Sequence, residues 1–235
     1  MNSNIPTVKS AASLIPGTLA ALATMTILPE RQPPSSDASK KKESEIVNPC
    51  RTKWQQKWVK LDIVHPKLQK LADEAESFCS RWFKNDTSKT LLVLVGSYGS
   101  GKTHVAKAIY KFCVAAAVSA FETKRWGEHS FPSSIFISWP EAADAFAEKQ
   151  FGIMDDAVSN DLVIVDDIGA ENDPWKICSD KLCQILSRRE KKFTVVTTNV
   201  LAEKWEERFD GRINDRLLRN SIVIDISEVP SFAMK

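Results

Sequence analysis

Five short, largely apolar runs punctuate the chain: Leu91-Leu-Val-Leu-Val95, Ser134-Ile-Phe-Ile-Ser138, Leu162-Val-Ile-Val165, Phe193-Thr-Val-Val196 and Ile222-Val-Ile-Asp225. A strand wetted on one face alternates apolar and polar residues. Runs that do not alternate predict strands covered on both faces, as in a parallel sheet. Helical spacing fills the gaps, from about Lys102 to Ala117, Pro140 to Gln150, Trp175 to Arg189 and Leu201 to Phe209. Strands alternating with helices predict an α/β fold around a parallel sheet. Helical periodicity also runs from about Lys53 to Phe83. Trp54, Trp58 and Leu61 form one stripe; after the break at His65-Pro66, Leu68, Leu71, Ala75 and Phe78 form a second, closed by Trp82 and Phe83. There is no internal repeat.

Upstream the pattern dissolves. Residues 29–48 mix Pro, Ser and charge and cannot bury enough apolar surface to order themselves. Residues 11–28 are apolar, but Pro16, Gly17 and three threonines interrupt them, and Lys9 is the only charged leader residue. That favours a disordered tail or a short docking helix over a signal peptide or membrane span. The expected organisation is a disordered tail at 1–48 serving as a partner-docking arm, a helical segment at 49–88, and a core at 89–235.

Composition narrows the class. The chain has 235 residues, 43% hydrophobic and 26% charged, with a net charge of only +2. Any nucleic-acid surface must therefore come from local clustering. Five scattered cysteines form no C-x-x-C pair, so there is no zinc signature, and a reducing cytoplasm is expected. Arg51-Thr-Lys-Trp54-Gln-Gln-Lys-Trp58-Val-Lys60 interleaves cations with tryptophans. It suits either base stacking on single-stranded DNA or an amphipathic helix with its tryptophans on the core. Smaller basic clusters sit at Lys124-Arg-Trp126 and Arg188-Arg-Glu-Lys-Lys192, the second at a helix end where cations are favoured.

Three polar constellations lie at predicted strand ends. The first is Gly96-Ser97-Tyr98-Gly99-Ser100-Gly101-Lys102-Thr103, between a strand and a helix. Gly96, Gly99 and Gly101 allow the loop to curl so that successive N–H groups point inward, and the helix N-terminus favours an anion. Lys102 is placed to reach the β- and γ-phosphates of ATP, and Thr103 to offer its hydroxyl to Mg²⁺. The second is Asp166-Asp167 at the carboxyl end of an apolar strand, where such sheets bind ligands. Asp166 is the candidate Mg²⁺-side acid, and Asp167 the group that orients or deprotonates the attacking water. Alternatively one of them caps the turn read at Ile168-Gly169, and Glu171 is the rival base. The third is Thr197-Thr198-Asn199, either a contact to the attacking water or γ-phosphate, or ordinary turn chemistry.

The order of these pieces resembles the AAA+ ATPases, and within them the DnaC/IstB group of helicase loaders and transposition helpers. The resemblance rests on Gly96 through Ile109, Leu162-Val-Ile-Val-Asp-Asp-Ile-Gly-Ala-Glu171, Thr197-Thr-Asn199 and Gly211-Arg-Ile-Asn-Asp-Arg-Leu217, and covers about Pro66 to Ser227. It implies a P-loop NTPase three-layer sandwich of the AAA+ type, with a five-stranded parallel sheet in the order 5-1-4-3-2. It also implies that Asn199 senses the γ-phosphate. Arg216 becomes an arginine finger reaching a neighbour's nucleotide, with Arg212 as runner-up; otherwise both, with Arg219, form a solvated helix face beside Asp215. A trans finger implies a homo-oligomer. The chain departs from the loader pattern after the last strand, where residues 225–235 hold no arginine and no helical lid appears.

The expected function is a cytoplasmic, Mg²⁺-dependent ATPase that loads a replicative helicase onto DNA, with single-stranded DNA as a further partner and no membrane. The alternatives are an IstB-like transposition helper acting with a transposase, and a non-hydrolysing nucleotide-dependent scaffold. The loop from Trp126 to Ser133 is the candidate DNA-facing loop, and Leu14 to Leu28 the candidate helix for docking on the helicase.

Overall fold

The computed structural model describes residues 65–122, 132–173 and 176–232. The tail, the Trp54/Trp58 strip, the Lys124–Trp126 cluster and most of the candidate DNA-facing loop lie outside the described residues. The elements are, in order, α1 Pro66–Lys84, β1 Leu91–Val95, α2 Lys102–Glu122, β2 Ser134–Ser138, α3 Trp139–Ala147, α4 Gly152–Ser159, β3 Leu162–Ile168, α5 Ile177–Arg188 and β4 Phe193–Thr198. A 3₁₀ turn at Ala202–Lys204 follows, then α6 Trp205–Arg208, α7 Gly211–Leu218 and β5 Ser221–Asp225.

All five predicted runs form strands of one parallel sheet, ordered β2-β3-β4-β1-β5. Read from the other edge this is 5-1-4-3-2, the order the resemblance implies. Successive side chains along a strand point to opposite faces. Leu92, Leu94, Leu162, Ile164, Phe193, Val195 and Ile224 accordingly join α1 and α2 in one core. Leu91, Val93, Val95, Val163, Val165 and Val196 join α3 to α7 in the other. The result is the expected three-layer sandwich. Because both faces are covered, polar groups are free for chemistry only at the strand ends.

α1 begins where the sequence breaks. His65 caps it by accepting from the Lys67 N–H at 3.2 Å, Pro66 opens it, and Asn85, in the left-handed conformation at φ 56°, ends it. Its buried face is the predicted stripe, including Leu68, Leu71, Ala75, Phe78, Trp82 and Phe83.

Some elements differ from expectation. The turn read at Ile168-Gly169 starts one residue later, since β3 runs through Ile168. The helix expected over Leu201–Phe209 is a 3₁₀ turn followed by a single α turn. α4 was not predicted, and α7 only as the helix face offered as the alternative role of Arg212, Arg216 and Arg219. Each has eight residues and buries only two apolar ones, Met154 and Ala157 or Ile213 and Leu217, too few to establish a period. Among the described residues no helix is long and apolar enough to cross a membrane.

Arg189, read from sequence as part of a surface cluster, is 2% exposed. Its five N–H groups donate to the carbonyls of Ala157, Asn160, Asp161 and Phe193 and to the Thr194 hydroxyl. It binds the carboxyl end of α4, the negative pole of that helix, to the start of β4. Burial pulls its guanidinium down to about 9, and it remains charged at neutral pH. Arg189→Ala leaves buried carbonyls unpaired and is expected to cost about 2–4 kcal/mol. Arg189→Lys should recover only part of that, since an ammonium lacks the planar five-donor fork. Urea unfolding midpoints of the two variants check this.

Candidate nucleotide site

β1 delivers the chain to the carboxyl edge of the sheet, and the loop Gly96–Gly101 turns it into α2. The turn needs two left-handed positions, supplied by Gly99 at φ 75° and Gly101 at φ 99°. Tyr98 stands on the outer side of the loop, 73% exposed.

Lys102, the first residue of α2, is only 5% exposed. Its Nζ donates to Gly96 O at 2.8 Å, Ser97 O at 2.8 Å and Asn199 Oδ1 at 2.7 Å. Burial lowers its pKa, while the negative charges of Asp167 and Asp166 work in the opposite direction. Thr103 Oγ1 donates to Asp166 Oδ1 at 3.0 Å, and so does Thr197 Oγ1 at 2.7 Å. A hydroxyl and a carboxylate oxygen this close are hard donors of the kind Mg²⁺ takes together with waters and phosphate oxygens, so the residues fit that ion.

Asp167 sits beside Asp166 with φ 66°. Its N–H donates to Thr197 Oγ1 at 2.8 Å, and Asn199 Nδ2 donates to its Oδ1. Burial, then the neighbouring Asp166, raise its pKa, and Lys102 lowers it. Lys102, Thr103, Asp166, Asp167 and Asn199 thus form one hydrogen-bonded group across the ends of β1, β4 and β3. Thr197, for which the sequence left open a site contact or ordinary turn chemistry, lies at its centre.

A family model described as IstB-like ATP binding protein matches residues 76–231. The chain belongs to that family. No curated protein matches. Among solved structures, the family's fold is shared by DnaI, with a TM-score of 0.57 at 22% identity over 80% of this chain and 92% of that one. It is shared by the DnaC helicase loader, at 0.55 and 18% over 75% and 99%, and by a DNA replication initiation factor, at 0.55 and 17% over 73% and 50%. The chain therefore spans half the length of that initiation factor. The family match bears out the resemblance to the DnaC/IstB group, and the structural likenesses add the shared fold.

The rival base of this IstB-like chain is otherwise engaged. Glu171 is buried, accepts from the Gly169 N–H at 2.6 Å and pairs with Arg208 at 2.8 Å. It clamps the turn after β3.

The three candidate arginines lie on or just after α7. Arg212 is bound to Asp210 and Asp180, and Arg219 to Asp215 at 2.6 Å. Arg216 donates to the Ser187 hydroxyl and, at 2.9 Å, to Arg212 O, and has no carboxylate partner among the described residues. It shares a cleft with Thr90, Leu91, Thr194 and Asn220, at the amino edge of the sheet. The structure therefore brings five of the predicted site residues together with the loop and leaves Arg216 at the opposite edge.

Two substitutions separate the acids. Asp167→Asn is expected to lower ATP turnover about 10²–10⁴-fold, with nucleotide affinity retained, as loss of a general base does. Glu171→Gln should leave turnover near wild type while lowering unfolding free energy by about 1–3 kcal/mol through the weakened Arg208 contact. Steady-state hydrolysis and urea melts of both variants provide the check.

Proposed function

We propose that this protein is an oligomeric, ATP-hydrolysing helicase loader. The carrying observation is the hydrogen-bonded group of Lys102, Thr103, Asp166, Asp167 and Asn199 at one sheet edge, with a carboxylate-free Arg216 at the other. The likeness to DnaI and to the DnaC helicase loader, over nearly their whole chains, supports the loader assignment.

The reaction follows from what each group can do. The N–H groups of the loop and of the first turn of α2 receive phosphate oxygens. Lys102 exchanges its bonds to Gly96 O and Ser97 O for the β- and γ-phosphates. Thr103 and Asp166 would hold Mg²⁺, which would supply charge neutralisation for the transferring phosphoryl group. The free carboxylate oxygen of Asp167 accepts a proton from the attacking water. Asn199 orients that water or the γ-phosphate once its amide is released from Asp167. Arg216 of a neighbouring subunit stabilises the charge on the transferring phosphoryl group, so that ATP assembles the oligomer on DNA and hydrolysis releases it. Residues 1–48 serve as the helicase-docking arm. A transposition helper, the second reading, is favoured by the family match itself.

Arg216→Ala should bind ATP normally and hydrolyse it about 10³-fold more slowly. Lys102→Ala should fail to bind. Mixing the two inactive variants should restore part of the turnover, because a Lys102→Ala subunit can lend Arg216 to an intact neighbouring site. No recovery at any mixing ratio would sink the trans finger. Co-purification with the replicative helicase, lost on deletion of residues 1–48, supports the loader; binding to duplex DNA and a transposase instead supports the helper.

A further inference from the structure

Along a regular strand, neighbouring side chains point to opposite faces. Asp166 and Asp167 are neighbours, yet the proposed reaction needs both at the same edge. The register between β3 and β4 shows how this is arranged. Val165 pairs with Val196 and Ile168 with Thr198, so Asp166 and Asp167 together face the single residue Thr197. This is a two-against-one bulge, the device by which a strand re-aims a side chain. It places Asp167 in the left-handed region at φ 66°, which a non-glycine residue occupies only when its surroundings hold it there.

What holds it is the Thr197 side chain, which is fully buried. The hydroxyl accepts the Asp167 N–H at 2.8 Å and donates to Asp166 Oδ1 at 2.7 Å. One small group is thereby acceptor to one acid's backbone and donor to the other acid's carboxylate. Asp166 Oδ1 is also bound by Thr103, so this oxygen is fixed both from β4 and from the first turn of α2. Asp166 Oδ2 has no protein donor among the described residues and is left for the metal side.

We infer that Thr197 is the positioning residue of the acid pair, setting the bulge that aims Asp167 at the attacking water while fixing the rotation of Asp166. The inference rests on the reading of the chain as an ATPase. Only a hydroxyl can play both parts at this size. Valine has the same shape and can do neither, whereas serine can do both.

The test uses the full chain, with Thr197→Val and Thr197→Ser beside wild type. It measures steady-state ATP hydrolysis and titrates mant-ADP, which counts folded, competent sites. Thr197→Val is expected to lose about 10- to 100-fold in kcat, the usual cost of removing a group that orients a metal-side ligand. KM, mant-ADP affinity and the number of sites should be unchanged, and Thr197→Ser should recover most of the kcat. Wild-type kcat in Thr197→Val overturns the inference, as does a serine variant equally impaired. So does a loss of kcat that merely follows a loss of mant-ADP sites. Wild type that binds mant-ADP but never turns over ATP sinks the ATPase reading and this inference together; wild-type turnover matched by Thr197→Val sinks this inference alone.

Discussion

The site is organised around a buried ammonium that is not ion-paired. Lys102 Nζ has three protons and three close acceptors, the carbonyls of Gly96 and Ser97 and the amide oxygen of Asn199. Each is a neutral oxygen. They offset the loss of water without cancelling the charge, and burial still lowers the pKa of the group. A lysine bound directly to Asp166 or Asp167 would have to surrender that pair before meeting a phosphate. Here the incoming anion replaces dipoles with full charges, so the Coulomb gain is not consumed in breaking an existing bridge. Asn199 ties this resting state to catalysis, because the same amide that accepts from Lys102 donates to Asp167.

The sheet imposes the second constraint. Its two faces are filled by separate cores, so a functional group must leave through a strand end. At β1 the exit is a glycine-rich turn, at β4 an asparagine one residue past the strand, and at β3 a bulge. Of the three, the bulge asks most of the backbone, since it sets a non-glycine residue at positive φ. The turn beyond it is correspondingly reinforced. Glu171 and Arg208 bind it from within, and Gly169 at φ 88° is packed so closely that a Cβ would stand 2.6 Å from Val200 Cγ2.

These two constraints explain what could be read from the sequence. β1, β3 and β4 are buried almost throughout and the edge strands β2 and β5 are largely half-buried, yet all five carry mostly apolar runs, so all were visible, and with them the ends at which Lys102, Asp166 and Asn199 stand. Features that depend on distant partners left no local mark. Thr197 matters because of residues some thirty positions earlier. Arg189 looked like a solvated cation at a helix end because the carbonyls that enclose it come from α4 and the start of β3. Trp205 and Phe209 show apolar helical spacing because both pack into the core, although the backbone between Leu201 and Phe209 completes barely one α turn. Glu171 looked like a base because its commitment to Arg208, on α6, is a tertiary one.

The cations of the molecule divide by the partners that hold them. Arg208, Arg212 and Arg219 are paired with carboxylates. Arg189 has no bonded carboxylate among the described residues and is enclosed by carbonyls and inaccessible. Arg81 and Lys192 are held by neutral oxygens, and so are the two site candidates, Lys102 and Arg216. An acceptor of this kind orients a cation without neutralising it, and that suits a group meant to meet an anion later. The two stand at opposite edges of the sheet. β1 alone, with five residues, sets those edges about 16 Å apart. One chain therefore cannot bring both cations to one triphosphate. If they act on the same nucleotide, a second subunit must present its amino edge to the carboxyl edge of the first, and a head-to-tail contact of that kind repeats into a ring or spiral.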